Sequence, residues 1–345
     1  MVMEIRGLNR NRQMVQPYIE YINLQWTRRY YECGEFSMQI RMEDYDPAVK
    51  YLYTPDRPEF AVIEKSTTQN DITGSYVQLS GRFYESMLTR DVIVPRYVAS
   101  AVPQTICTKL MTTYAKHIPG SIVIERTQDF GGEDVDVNFL GDEIDDATWP
   151  LLKEIECSQR ITYDFDHDQF VYSIWKGLDR TQSQNTNEYA LFTNSNTDGI
   201  ETDEDESGYK NYAVILMPDK SIVEVDARED SGEDQRRKFF DYSSMSKEDG
   251  QTDKQFRSAC IRKAREELRK WPKIVNVQAD TIQDRLLYLT DYDLGDKCDV
   301  VDERFGRSYV TRIIEVREVI KEGQHNIEVV FGDKIPTIYE RVKNR

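Results

Sequence analysis

From Leu24 the chain alternates strictly. Leu24, Trp26, Arg28 and Tyr30 fall on one phase, and Gln25, Thr27, Arg29 and Tyr31 on the other. After Glu32-Cys33-Gly34-Glu35 the alternation resumes with Phe36, Met38 and Ile40. A two-residue period belongs to a strand with one face buried, so this stretch predicts a half-buried hairpin turning at Gly34. The same reading gives strands over VMEIRGL, PEFAVIEKSTTQ and SYVQLSGR. The last two make a hairpin around Asn70-Asp71-Ile72-Thr73-Gly74. DPAVKYL reads as a short helical turn, and Phe83, Met87 and Leu88 space one or two turns of helix after Gly81. Residues 1–97 therefore read as mostly β.

The period changes beyond residue 98. Ile106, Leu110, Met111 and Tyr114 form the apolar stripe of an amphipathic helix. Pro103 sits near its start, where a missing N–H costs little. ATWPLLKEIECSQ predicts a second helix with Pro150 in its first turn, and RITYDFDHDQFVYSIWKGLDR predicts a hairpin around Asp-His-Asp. NTNEYALFTNSNTDGIETDEDESGYKN is polar and acidic, reads as a long connection, and places a boundary near residue 200. YAVILMP and SIVEVDARE are strands. DSGEDQRRKFFDYSSMSKEDGQTD is too charged for a core and reads as loop or short surface helix. Phe256, Cys260, Ile261, Ala264 and Leu268 stripe the longest helix, which Pro272 stops. IVNVQADTI, CDVVDERFG, SYVTRIIEVREVI and HNIEVVFG return to β as a meander that suggests a small barrel or sandwich. The expected organisation is a β domain over 1–97, an α/β domain over 98–200 and a β-rich domain with one long helix over 201–345, with segments free to interleave.

Charge narrows the function classes. Lys and Arg number 45 against 62 Asp and Glu, a formal charge of −17. Gripping DNA by phosphate neutralisation needs clustered cations, whereas this chain repels polyanions. Arg28-Arg29, Arg236-Arg237-Lys238 and the Arg262-to-Lys270 helix face are each embedded in acids, which fits ion pairs within or between subunits. The 21 tyrosines suit half-buried sheet positions and contact surfaces. Cys33, Cys107, Cys157, Cys260 and Cys298 are scattered without a C-x-x-C pair, which argues against zinc or a disulfide framework and fits synthesis in a reducing compartment. No run of about 18 apolar residues is present to span a membrane. The N-terminus lacks the apolar core of a signal peptide.

Candidate chemistry is sparse. Asp164-x-Asp166-x-Asp168 resembles the start of a calcium loop, but Gln169 and Trp175 stand where that loop needs glycine and glutamate. His117, His167 and His325 occur singly and read as surface histidines, the last in a loop beginning at Gly323. No G-x-S-x-G, Walker or G-x-G-x-x-G motif occurs. The acids between Glu201 and Glu206 nominate no carboxylate pair for glycoside hydrolysis. A cell-wall hydrolase and a glycan-binding tip protein stand as the alternatives of another class. Trp149, Trp175 and Trp271 fit core or edge packing better than sugar platforms. The chain is expected to carry no catalytic, cofactor-binding or metal-binding residues.

WTRRYYECGEFSMQI resembles the aromatic–Arg strand, Gly turn and Phe strand of a family of tail hub proteins, the tail-associated or baseplate hubs of long-tailed phages and prophages, siphovirus type. PEFAVIEKSTTQ and VQLSGRFYESMLTRDVIVP resemble its strand, Ser-Gly-Arg and helix with an Arg-x-Val-Ile-x-Pro tail. TWPLLKEIECSQRITYDFDHDQFVYSIWKGLDRTQSQ, YKNYAVILM, EVDARED and LGDKCDVVDERFGRSYVTRIIEVRE follow in the family's order. The resemblance implies a β-dominated α+β fold, with two tail-tube-like β-barrel domains and an α/β middle region. It implies a homotrimeric ring at the tail tip that closes the tube and passes DNA at ejection without binding it specifically. The hub of a contractile bacteriocin or injection particle is the alternative. The implied partners are further copies of itself, the tail tube or distal tail protein, the tape measure protein, and tip or receptor-binding proteins. The implied location is the virion tail tip after synthesis in the host cytoplasm. Ending at Arg345, the chain is expected to leave receptor binding and wall cleavage to another protein. Trp26, Arg28, Arg29, Tyr31, Glu35 and Arg82 are the candidate subunit-interface or structural residues.

Overall fold

The computed structural model describes residues 3–332 apart from 72, 73, 127, 229, 231, 248–251 and 322. The Ile72-Thr73 turn, the tail leading to Arg345 and parts of the charged 230–252 stretch therefore lie outside the described residues. The chain forms two compact units, the first built from residues up to 201 and from 278 to 331, the second from 202 to 277.

The elements run in this order. β1 (Ile5–Leu8), β2 (Met14–Tyr18), β3 (Asn23–Arg29), β4 (Glu35–Arg41), β5 (Tyr51–Tyr53), β6 (Phe60–Asp71) and β7 (Gly74–Phe83) lead to a 3-10 helix, Tyr84–Arg90. β8 (Tyr97–Ala101), α1 (Pro103–Tyr114), β9 (Ile122–Ile124), β10 (Val135–Phe139), α2 (Ile144–Glu154), β11 (Ser158–Asp164) and β12 (Gln169–Trp175) follow. Next come β13 (Leu191–Thr193), β14 (Thr197–Asp205), β15 (Tyr212–Leu216), β16 (Ile222–Asp226), β17 (Arg237–Asp241) and α3 (Asp253–Leu268). β18 (Ile274–Thr281), β19 (Lys297–Asp302), β20 (Arg307–Lys321) and β21 (Gln324–Gly332) finish the described chain. The fold is α+β and β-dominated.

The main sheet has the strand order β14-β18-β21-β20-β3-β4-β7-β6-β5-β1-β2, with β19 on β20 and β13 on β19. Among the described residues this pairing is an open path, where a closed barrel was expected. Its middle joins distant sequence: β3 lies antiparallel between β4 and β20, with Trp26 opposite Phe36 on one side and Glu318 on the other. The inward phase of these strands fills one core with Leu24, Trp26, Phe36, Met38, Ile40, Val77, Leu79 and Ile320.

A second core crosses residue 97. The 3-10 helix, α1, α2 and the β11–β12 hairpin pack Tyr84, Ile106, Leu110, Leu152, Ile161 and Tyr172 against Tyr51 and Phe60. Tyr84 and Phe170 stack with ring centroids 3.7 Å apart. In the second unit β15 lies between β16 and β17, and α3 covers one face with Phe256, Cys260, Ala264 and Leu268.

Several local expectations change. Tyr51–Tyr53 is a strand, and the helical turn lies earlier, at Met42–Asp44. α2 begins at Ile144, so Pro150 is inside the helix rather than in its first turn. Asp145 and Asp146 stand in that first turn instead, where acids suit the positive end of a helix dipole. The long polar connection near 200 contains β13 and β14. The charged stretch at 237–241 is β17, which satisfies a one-sided sheet by burying Phe240 while Phe239 stays outside. His325 lies on β21 rather than in a loop.

Candidate functional site

The β3–β4 hairpin sorts its side chains by phase. On the inward phase, Trp26 is wholly buried against Phe83, 4.8 Å between centroids, and Phe36, at 6.0 Å. Arg28 shares that phase and is 2% exposed. It has polar company: Nε donates to Glu59 at 2.6 Å, and Nη1 donates to Tyr288 Oη at 2.7 Å and to Asp293 at 2.6 Å. Beside it, Arg57 donates twice to the fully buried Glu318, 2.6 Å each, and lies 5.1 Å over the Tyr288 ring. His325 Nε2 is 3.0 Å from the same Glu318 carboxylate. A buried ionic cluster therefore ties β3, the β5–β6 connection, β20, β21 and the 288–293 loop together.

The outward phase carries a row of charges across the sheet. Arg29 donates to Glu315 at 2.8 Å and to Glu35 at 2.7 Å, and lies 3.4 Å from Glu32. Arg317 bonds Glu315 and Glu328, each at 2.8 Å, and Gln278 donates to Glu328. Arg82, opposite Glu35 in the β4–β7 register, forms a forked pair with Glu64 at 2.9 and 3.0 Å. Tyr31 meets the Tyr30 ring edge-on and faces Lys153 Nζ at 5.4 Å. The structure thus separates the six candidates. Trp26 and Arg28 are interior, Arg29, Glu35 and Arg82 belong to the outer charged row, and Tyr31 lies against α2. Glu59, Glu315 and Glu318 were not singled out from sequence; each is an ordinary acid in a strand-like context until the distant arginines are placed.

Elsewhere acids are spent on local structure. Asp168, at φ +49°, takes Arg12 at 2.9 and 3.1 Å, while Asp164 accepts from the backbone of Asp166 and His167. His117 sits 2.6 Å from Asp91. Among the described residues no group of His, Cys, Asp and Glu is arranged to hold a metal ion. An open groove of about 380 Å³ is lined by Arg6, Arg12, Met14, Pro17, Tyr53 and Phe165, but Glu4 and Asp168 already neutralise its arginines.

One interior carboxyl has a marked consequence. Glu85, in the 3-10 helix, is 5% exposed and accepts from Ile161 N at 2.7 Å. Burial pushes it up to about 7. Its folded value is above its ordinary one, so the fold favours the protonated acid, and stability falls as pH rises from about 4.5 through 7. The loss is about 3 kcal/mol once charging is complete. Glu85→Gln keeps the acceptor oxygen and removes the charge. The variant is expected to match the parent at pH 4.5 and to exceed it at pH 8 in urea denaturation; equal midpoints at pH 8 would refute this.

The family described as Siphovirus ReqiPepy6 Gp37-like protein matches residues 3–333. Among solved structures, the 43 kDa tail protein of prophage MuSo2 from Shewanella oneidensis superposes with a TM-score of 0.63 at 10% identity, over 96% of each chain. A tail protein from Neisseria meningitidis MC58 gives 0.62 at 11% identity, again over 96% of each. Prophage tail protein gp18 from Listeria monocytogenes EGD-e gives 0.56 at 13% identity, over 99% of this chain and 98% of that one. No curated protein matches. At these identities the structural likenesses establish a shared fold, and the family match establishes kinship: the chain belongs to the Siphovirus ReqiPepy6 Gp37-like family of phage tail proteins.

Proposed function

We propose that this tail protein is a hub: three copies close into a ring at the tail tip, cap the tube and adapt it to the tip proteins. The carrying observation is the end-to-end likeness to tail proteins of about the same length, 96% of both chains in two cases. An open main sheet with strands at both ends supports the reading, since an uncovered strand edge favours pairing with another chain. The likeness to tail-tube subunits expected for the domains 1–97 and 201–345 of each chain belongs to this proposal. Arg29, Glu35 and Arg82 are the candidates to meet a neighbour, because their row combines partial exposure with guanidinium groups able to form forked pairs. A charge of −17 suits a conduit past which DNA slides without sticking. The partners are the tail tube or distal tail protein, the tape measure protein and the tip or receptor-binding proteins.

Light scattering with negative-stain imaging tests the proposal. A ring of three chains, alone or with the tube protein, is expected. A monomer that persists with the tube protein present would sink it. A second reading, the hub of a contractile bacteriocin or injection particle, draws on the likeness to a chain of the Francisella PdpA–VgrG complex. That match has a TM-score of 0.51 at 9% identity and spans 97% of this chain and 59% of that one. Capsid and terminase genes beside the coding sequence favour the phage; their absence favours the particle.

A further inference from the structure

Next to Arg28 lies a small cavity of about 20 Å³ whose walls include Arg28, Glu59, Glu85, Gln159, Arg160 and Trp175. One water needs about 10–15 Å³ of such space and two to four polar partners. Two atoms on residues of these walls are buried without a hydrogen-bond partner in the protein: Glu59 Oε2 and Trp175 Nε1. They are complementary. The carboxylate oxygen only accepts, and the indole N–H only donates. Leaving each unpaired carries the full desolvation penalty of a buried polar group, larger for the charged one.

We propose that this cavity is a specific internal water site, the water accepting from Trp175 Nε1 and donating to Glu59 Oε2. The other Glu59 oxygen already takes Arg28 Nε at 2.6 Å. The water therefore extends the Arg28 cluster from β3 to β12, joining the main sheet to the β11–β12 hairpin. Gln159 and Arg160 on the same walls supply the remaining polar company.

Trp26 provides an internal control. Its Nε1 is equally buried and unpartnered, but Trp26 does not line the cavity. The chain has 4 tryptophans, so ¹⁵N-indole labelling gives a short, assignable spectrum. A water-to-indole Overhauser cross-peak is expected at Trp175 and none at Trp26, with Trp175→Phe removing the signal. A crystal structure at high resolution is the second readout, with a solvent peak expected within hydrogen-bond distance of both Glu59 Oε2 and Trp175 Nε1. No cross-peak at Trp175, an equal one at Trp26, or a dry cavity in the density overturns the proposal.

Discussion

Arg57→Met is expected to destabilise the protein by about 3–5 kcal/mol at neutral pH, because it strands the Glu318 carboxylate in the core. Glu318 has no exposed surface, and two of its hydrogen bonds come from Arg57. Burial alone would push this acid up; hydrogen bonds from His325 and Arg57 outweigh it and hold the group below the ordinary glutamate range. A depressed folded value means that the contribution is present above the unfolded value and lost as pH falls through the folded one. The gap between parent and variant is therefore widest at neutral pH and narrows in acid, where the parent loses its ion pair and the variant's glutamate takes a proton. Urea denaturation at several pH values measures both features. A loss below about 1 kcal/mol, or a gap that does not change from pH 7 to pH 3, would contradict the assignment. Adding Glu318→Leu to Arg57→Met is expected to recover much of the loss, since a well-packed apolar pair often replaces a buried ion pair without penalty.

The same cluster shows what could be read from sequence. The two-residue period places Arg28 in phase with Leu24 and Trp26, and the structure keeps it there. What the period cannot supply is the set of acceptors, which come from Glu59, Tyr288 and Asp293, up to 265 positions away. Ion pairing at that separation leaves no local pattern. The central hairpins, the three α-helices and the 3-10 helix were legible because each has an apolar stripe or a glycine turn. β14 and β17 were not. One needs only Thr197 and the other only Phe240 buried, so their charged outer faces dominate the composition. The open path of the main sheet was also hidden, because strand order depends on which distant segments pair. Ser80-Gly81-Arg82 is the opposite case, a short motif whose physical reason becomes visible once the strands are aligned.

Gly81→Ala is accordingly expected to cost about 3 kcal/mol or more, although alanine adds a single carbon. The reason is local backbone geometry. β6 and β7 change register between Ile63 and Lys65, so that Glu64 is the extra residue of a bulge facing Gly81. The bulge draws the β6 backbone over Gly81, where a Cβ would fall 1.9 Å from Val62 O and 2.9 Å from Glu64 N. Neither atom belongs to a side chain that can rotate away, so relief requires moving one strand off the other. On its other side Gly81 is opposite Phe36, which packs against Trp26, and the next residue, Arg82, reaches back to Glu64 across the bulge. Displacement would therefore disturb the core and the outer charged row together. Ser80→Ala is the matched control, since it keeps a Cβ where one already exists and is expected to change stability by less than about 1 kcal/mol. Thermal and urea unfolding of the two variants decide the point. A Gly81→Ala protein as stable as Ser80→Ala would show that the bulge relaxes freely and that glycine is not required there.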